Sequence, residues 1–140
     1  MEPQYTLTYT NPLRTFSTHV KSGIEIITDA PVDNFGKGES FSPTDLLATS
    51  LVSCVMTIVG IACSKSDTEI LSMNASVNKI MASKPRRVAE IRAHIRISLI
   101  GCDLNEAKRL ERVARACPVA KSLSDEVLQN LTFEFDLQKG

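Results

Sequence analysis

At 140 residues the chain is long enough to bury one hydrophobic core and too short for two, so it reads as a single domain over 1–140. Sixteen Lys and Arg balance sixteen Asp and Glu, which excludes a global electrostatic draw toward nucleic acid or a charged membrane surface. The opening residues, Met1 to Tyr5, show no basic cap before an apolar stretch, so a cytoplasmic location is expected. In that compartment four cysteines read as free or catalytic thiols rather than a disulfide framework.

Residues 4–10 and 13–20 alternate as strands do, with Asn11-Pro12 as the turn between them. Arg14 then falls on the same face as Phe16, Thr18 and Val20, a cation on a mostly apolar surface. Gly23 to Thr28 reads as a third strand closed by Asp29-Ala30-Pro31, and Val32 to Ser40 as a loop mobile by composition. Ser42-Pro43-Thr44-Asp45 announces a helix: Ser42 as N-cap, Pro43 at the first helical position, Asp45 reaching back. The helix should run to about Ser64. From Leu46 onward it carries no charge and is nearly long enough to span a membrane. Thr49, Ser50, Ser53 and Thr57 interrupt it, however, which favours a core helix. Its apolar residues, Leu46, Leu47, Leu51, Val55, Ile58, Val59 and Ile61, wrap around it, predicting burial on most sides.

Residues 70–82 and 87–99 form the next hairpin, turned at Ser83 to Arg87, with Ala89, Ile91, Ala93, Ile95 and Ile97 inward. Glu90, Arg92, His94 and Arg96 face out, and His94 reads as solvated. Asp103 to Glu106 repeats the capping-box pattern and opens a helix to about Cys117, with Ala107, Leu110, Ala114 and Cys117 along its apolar stripe. A short helix should follow through Gln129, then a final strand from Leu131 to Leu137. Strands and helices are segregated, so the class is α+β, with antiparallel sheets around a long buried helix that carries Cys54.

Two of the four thiols stand where chemistry is possible. A buried cysteine is by itself a small hydrophobe. Cys54, though, sits among Ser50, Ser53 and Thr57, with Arg14 available as a cation that would favour its thiolate, the nucleophilic form. Such a thiolate can attack the distal oxygen of a peroxide and become a sulfenic acid. Cys117, just before Pro118, is placed to condense with it to a disulfide. If Cys117 caps the helix that Pro118 begins, that helix end would lower its own pKa, so the residues leave open which thiol attacks first. Cys63, about half a turn out of phase with Cys54, reads as packing, and Cys102 has no assigned role. Two distant histidines without paired-cysteine spacing argue against a metal site. Gly36-Lys37-Gly38 lacks the glycine spacing of a phosphate loop, and Lys84 to Arg87 reads as a solvated turn, not a nucleic-acid site.

The segment Gly36-Lys-Gly-Glu-Ser-Phe-Ser-Pro-Thr-Asp-Leu-Leu-Ala48, the following Ser53-Cys54, and Ala116-Cys117-Pro118-Val119 resemble the OsmC/Ohr family of osmotically inducible and organic-hydroperoxide-resistance proteins. The resemblance covers essentially the whole chain. It implies an intertwined homodimer with sites at the subunit interface, Cys54 as the peroxidatic and Cys117 as the resolving cysteine. It also implies organic hydroperoxides as substrates, a small or protein-borne dithiol as reductant, and no metal or organic cofactor. The best-known peroxidase branches have a glutamate after the helix-start proline, where it holds the catalytic arginine; here that position is Thr44. Asp45 points about 100° away around the helix. Glu39 could substitute, with Arg14 as the arginine. The chain therefore resembles a less characterised branch of the family.

Two other expectations remain open on the sequence. The same dimeric fold could bind a small apolar ligand with the cysteines as packing, a reading kept alive by Thr44. It could also act as a redox sensor, changing shape on disulfide formation without turnover.

Overall fold

Tyr5 to Thr10 is a run of aromatic, leucine and threonine side chains suited to a pleated surface, and it forms β1. It pairs antiparallel with β2 (Arg14–His19), which pairs antiparallel with β3 (Glu25–Asp29). The computed structural model describes all 140 residues, in two compact units, Met1–Leu47 and Ala48–Gly140. This three-stranded sheet belongs to the first unit. Its register puts Tyr5, Leu7, Tyr9, Ser17 and Ile26 on one face, and Arg14, Phe16, Ile27 and Asp29 on the other.

The segment after β3 is pinned rather than loose. The amides of Asn34 and Gly36 donate to the Pro31 carbonyl, that of Gly38 to Ala30, and that of Asp29 to Phe41. Ser40 Oγ donates to the Ile27 carbonyl at 2.8 Å. Gly36 passes so close to the Ala30 carbonyl that a Cβ there would lie 1.8 Å from its oxygen, which only glycine allows. Composition alone could not reveal these bonds, because backbone groups make most of them.

The helix start is as its residues announce. Ser42 Oγ accepts the Asp45 amide at 3.1 Å, and Asp45 Oδ2 accepts the Ser42 amide at 2.8 Å, a reciprocal capping box for α1 (Pro43–Ser64). Along α1 the buried residues are Ala48, Leu51, Val52, Val55, Val59 and Cys63, a single stripe. Leu47 and Ile61 are exposed, so the expected burial on most sides is not found in the single chain. α1 has the length and apolarity to cross a membrane, but its buried stripe is that of a helix packed on a core.

The second unit holds a sheet ordered β4 (Glu69–Ala82), β5 (Arg87–Ile100) and β6 (Leu128–Gln138). β5 is central and supplies the core: Ile91, Ala93, Ile95, Ile97 and Leu99 are all buried. Each of its large side chains contributes about 1.5–3 kcal/mol by leaving water. They pack with the α1 stripe and with Leu110 and Ala114 of α2 (Leu104–Arg115). A register shift between Ile80 and Met81 changes the phase at the hairpin end, so Val88 rather than Ala89 is buried there.

β5 and β6 run parallel, which corrects the expectation of purely antiparallel sheets. The connection explains it: two helices, α2 and α3 (Pro118–Ser122), carry the chain back before β6 begins. A parallel neighbour requires such a crossover. α3 ends at Ser122, not Gln129, and β6 starts at Leu128, three residues before the expected Leu131. Asp103 caps α2 by accepting the Glu106 amide at 2.8 Å, but the Glu106 carboxylate turns to Arg109 at 2.7 Å. His94 is bonded on the outer sheet face, to Thr132 at 2.9 Å and Glu134 at 2.8 Å, not merely solvated.

Candidate functional site

Cys54 lies near the middle of α1, half-buried on the flank of the buried stripe. Cys117 is fully buried at the junction of α2 and α3. The end of α2 at Arg115 and Pro118 at the first position of α3 force the chain to turn there. Cys117 takes an extended backbone conformation as N-cap of α3, and its Sγ accepts the Ala120 amide at 3.4 Å. The two thiols, 63 residues apart in sequence (117 minus 54), lie within hydrogen-bonding reach of each other.

Burial pushes the Cys117 thiol up most strongly; the Ala120 amide pulls it down, and the neighbouring Cys54 pushes it up again. The helix-end effect foreseen for a capping cysteine is therefore present but outweighed, because α3 is only five residues long and Cys117 is dry. At neutral pH Cys117 is protonated. Around Cys54, Thr57 Oγ1 donates to the Ser53 carbonyl at 2.7 Å, so that hydroxyl serves the helix backbone. Ser53 itself is exposed.

In the first unit, Arg14 forms a fork with Asp29: Nε to Oδ1 at 2.7 Å and Nη2 to Oδ2 at 2.9 Å. Arg14 and Asp29 are direct cross-strand partners of β2 and β3. Glu39, the acid expected for Arg14, is a minor partner at 3.5 Å with a largely exposed carboxylate. Its backbone amide instead donates to Asp29 Oδ2 at 3.1 Å. Asp29, 1% exposed, is the residue that the sequence reading missed. The guanidinium beside it holds its carboxyl below the usual range, and Asp29 in turn raises Arg14 well above an ordinary arginine. Thr44 is bonded to Ser42 Oγ at 3.1 Å, and Asp45 serves the helix cap.

Cys63 and Cys102 make a second neighbourhood. Each is pushed up chiefly by burial, and Cys63 also by the charge of Cys102. Asp103 and Glu106 raise Cys102 further, so both stay protonated and are poor nucleophiles. No group of three or more His, Cys, Asp or Glu side chains is arranged to hold a metal ion.

An α+β chain with a long helix beside a three-stranded sheet, and two free thiols brought together from α1 and the α2–α3 junction, defines a thiol protein of the OsmC-like fold class. The family model described as OsmC-like protein matches residues 36–131, and the chain belongs to that family. A protein from Psychrobacter arcticus, described as a candidate osmotic stress induced and detoxification response protein, is 46% identical. The match covers 95% of this chain and 96% of that one, with a TM-score of 0.86. An OsmC-like protein from Mycoplasma pneumoniae is 16% identical over 97% and 98% of the two chains, with a TM-score of 0.79. The organic hydroperoxide resistance protein OhrB of Bacillus subtilis is 15% identical over 96% and 98%, with a TM-score of 0.58. The last two share the fold. A search of curated proteins finds no match.

Proposed function

We propose that this protein is a thiol-dependent peroxidase that reduces organic hydroperoxides. The observation that carries the reading is the Cys54–Cys117 neighbourhood, in which Cys117 is held protonated and Cys54 is the accessible thiol. The Cys54 thiolate attacks the distal hydroperoxide oxygen and the O–O bond breaks. The organic alkoxide leaves with the bonding pair and takes a proton to become an alcohol, while Cys54 becomes a sulfenic acid. Cys117 sulfur then attacks Cys54 sulfur, the S–S bond forms, and hydroxide leaves with the Cys117 proton as water. A dithiol returns both residues to thiols. In this reading Arg14 polarises the peroxide, with Asp29 as its main anchor and Glu39 as a lesser one.

The working form in this reading is a cytoplasmic homodimer. Exposed Tyr5, Leu7, Ile24 and Ile26 on the first sheet and Ile61 on α1 supply apolar surface that a second copy would cover. Decay of an alkyl hydroperoxide in the presence of a dithiol tests the function. The wild type should consume peroxide over many turnovers and Cys54→Ser should not; equal rates would end the claim.

A second reading, binding of a small apolar ligand, is favoured by one feature. A groove of about 490 Å³ between α1 and β4 is lined by Val52, Met56, Met73 and Val77, on a different flank of α1 from Cys54. A Cys54 that resists alkylation at neutral pH, together with saturable binding of an apolar fluorescent probe, would favour binding over catalysis.

A further inference from the structure

Cys117 sits in a turn that β6 grips on both sides. Two residues before it, the Arg115 guanidinium donates from Nη2 to the Leu131 carbonyl of β6 at 2.8 Å. The same guanidinium lies over the Phe133 ring, 5.0 Å from its centroid, and its Nε donates to Glu111 at 3.2 Å. Three residues after Cys117, Gln129 Nε2 of β6 donates to the Ala120 carbonyl at 3.0 Å. α3 is only five residues long, so that carbonyl is one of those a helix end leaves without an intrahelical partner. Ala120 is also the residue whose amide reaches the Cys117 sulfur. All of these groups belong to the second unit, together with Cys54.

We infer that Gln129 and Arg115 are positioning residues for the Cys117 thiol, clamping the α2–α3 turn to β6 so that its sulfur is held where it can close on Cys54. The inference rests on the peroxidase reading, in which Cys117 is the resolving thiol. Backbone bonds in the turn, from the Cys117 amide to Ala114 at 3.2 Å and from the Lys121 amide to Cys117 at 3.1 Å, join it to its own helices. Arg115 and Gln129 join it to the sheet. A turn already held in place loses little freedom when the S–S bond forms, which raises the effective concentration of one sulfur at the other. Gln129 also keeps the Ala120 amide on the Cys117 sulfur, where it stabilises the charge that develops as the thiol loses its proton.

Equilibration with reduced and oxidised glutathione tests the clamp without peroxide. Oxidised glutathione takes two electrons from the pair, one S–S bond forms between Cys54 and Cys117, and two glutathione thiols are released. The disulfide fraction, read by peptide mass, gives the effective concentration of the two sulfurs. Gln129→Met keeps the side-chain length and removes the donor, and it should lower that concentration about two- to tenfold, the effect of one intramolecular hydrogen bond. Arg115→Met should lower it too, and Arg115→Lys, which keeps a cationic donor, should recover part of the loss. Ser98→Ala removes two hydrogen bonds near the other end of β6, to Asp136 and from Gln138, both at 3.2 Å, and should leave it unchanged. With one equivalent of alkyl hydroperoxide, both Met variants should form the Cys54 sulfenic acid at the wild-type rate. They should convert it to disulfide more slowly, followed by dimedone trapping over time.

Effective concentrations unchanged in Gln129→Met and Arg115→Met would overturn the inference, and continued peroxide consumption in the same proteins would leave the peroxidase reading standing. An equal fall in Ser98→Ala would overturn it as well, because the effect would then be a general loosening of β6. Lowered effective concentrations in a protein whose Cys54 forms no sulfenic acid would remove the peroxidase reading while upholding the clamp. Should Arg115→Met fail to fold, Gln129→Met decides alone.

Discussion

Cys117 and Ala120 are joined by an N–H to sulfur hydrogen bond of 3.4 Å, so one sulfur serves both as a helix cap and as half of a thiol pair. The two roles separate by mutation. Cys117→Ser keeps an acceptor for the Ala120 amide and removes the thiol. Cys117→Ala removes both. After one equivalent of hydroperoxide, neither variant should form the intramolecular disulfide, and each should accumulate sulfenic acid at Cys54, trapped by dimedone and read by mass. Only Cys117→Ala should also lose stability, by about 1 kcal/mol for the missing cap, measured by urea unfolding.

Three thiols, Cys63, Cys102 and Cys117, are held above their ordinary range by the fold. In the unfolded chain each would ionise near an ordinary thiol pKa of about 8.5. Above that pH the unfolded state therefore holds fewer protons than the folded one, and stability must fall as pH rises. Chemical unfolding in the presence of a reductant should show midpoints that are flat from pH 7 to about 8.5 and decline beyond it. A triple alanine variant should be less stable throughout but should lack the alkaline decline. An equal decline in that variant would assign the effect to other groups.

What the sequence made legible is what short-range chemistry determines. Ser42 and Asp45 announce their cap because the partners are three residues apart, and β5 announces its inward face because period two survives from Ile91 to Leu99. The parallel pairing of β6 was hidden, since it depends on how α2 and α3 pack and not on residues 128–138 themselves. The one-sided burial of α1 was hidden too, because a charge-free helix looks the same whether its second face meets its own chain or another. Asp29 was missed for a subtler reason. Before Ala30-Pro31 it reads as a strand-ending turn residue, yet counting outward from the turn at Lys21-Ser22 sets residue 14 opposite residue 29. That register was available in the sequence, and it pairs the only arginine of the first three strands with a carboxylate.

Asp29 also predicts an acid response. Its carboxyl is held down by Arg14 first and the Glu39 amide next, so the folded state binds its proton more weakly than the unfolded chain does. Its contribution is complete above the unfolded value of about 4 and is lost as pH falls through the lower folded value. Asp29→Asn should therefore be less stable than the wild type at pH 7, and the gap should narrow below about pH 4. Thermal unfolding across pH 2.5–7 checks this, and a gap that widens in acid would refute it. Glu90, Glu106 and Glu134 are lowered by Arg92, Arg109 and His94 in the same sense, so the wild type should keep an acid decline even without Asp29.

The apolar face of the first sheet makes the last prediction. Leu7 is 67% exposed and Ile26 48% in the single chain, and their register places them on one face with Tyr5 and Tyr9. That face is opposite the one carrying Arg14 and Asp29. Burying such side chains is worth about 1.5–3 kcal/mol each, so a partner that covers several should bind strongly. In the proposed dimer, Leu7→Lys would place a charge in a dry contact and should convert the protein to a monomer by light scattering at micromolar concentration. Thr8→Lys, one residue along and therefore on the opposite face, should not. Because Leu7 is exposed in the single chain, Leu7→Lys costs the isolated fold little, and any loss of stability should follow protein concentration. A wild type that is monomeric at that concentration, or a Leu7→Lys variant that remains dimeric, would take this sheet face out of the assembly.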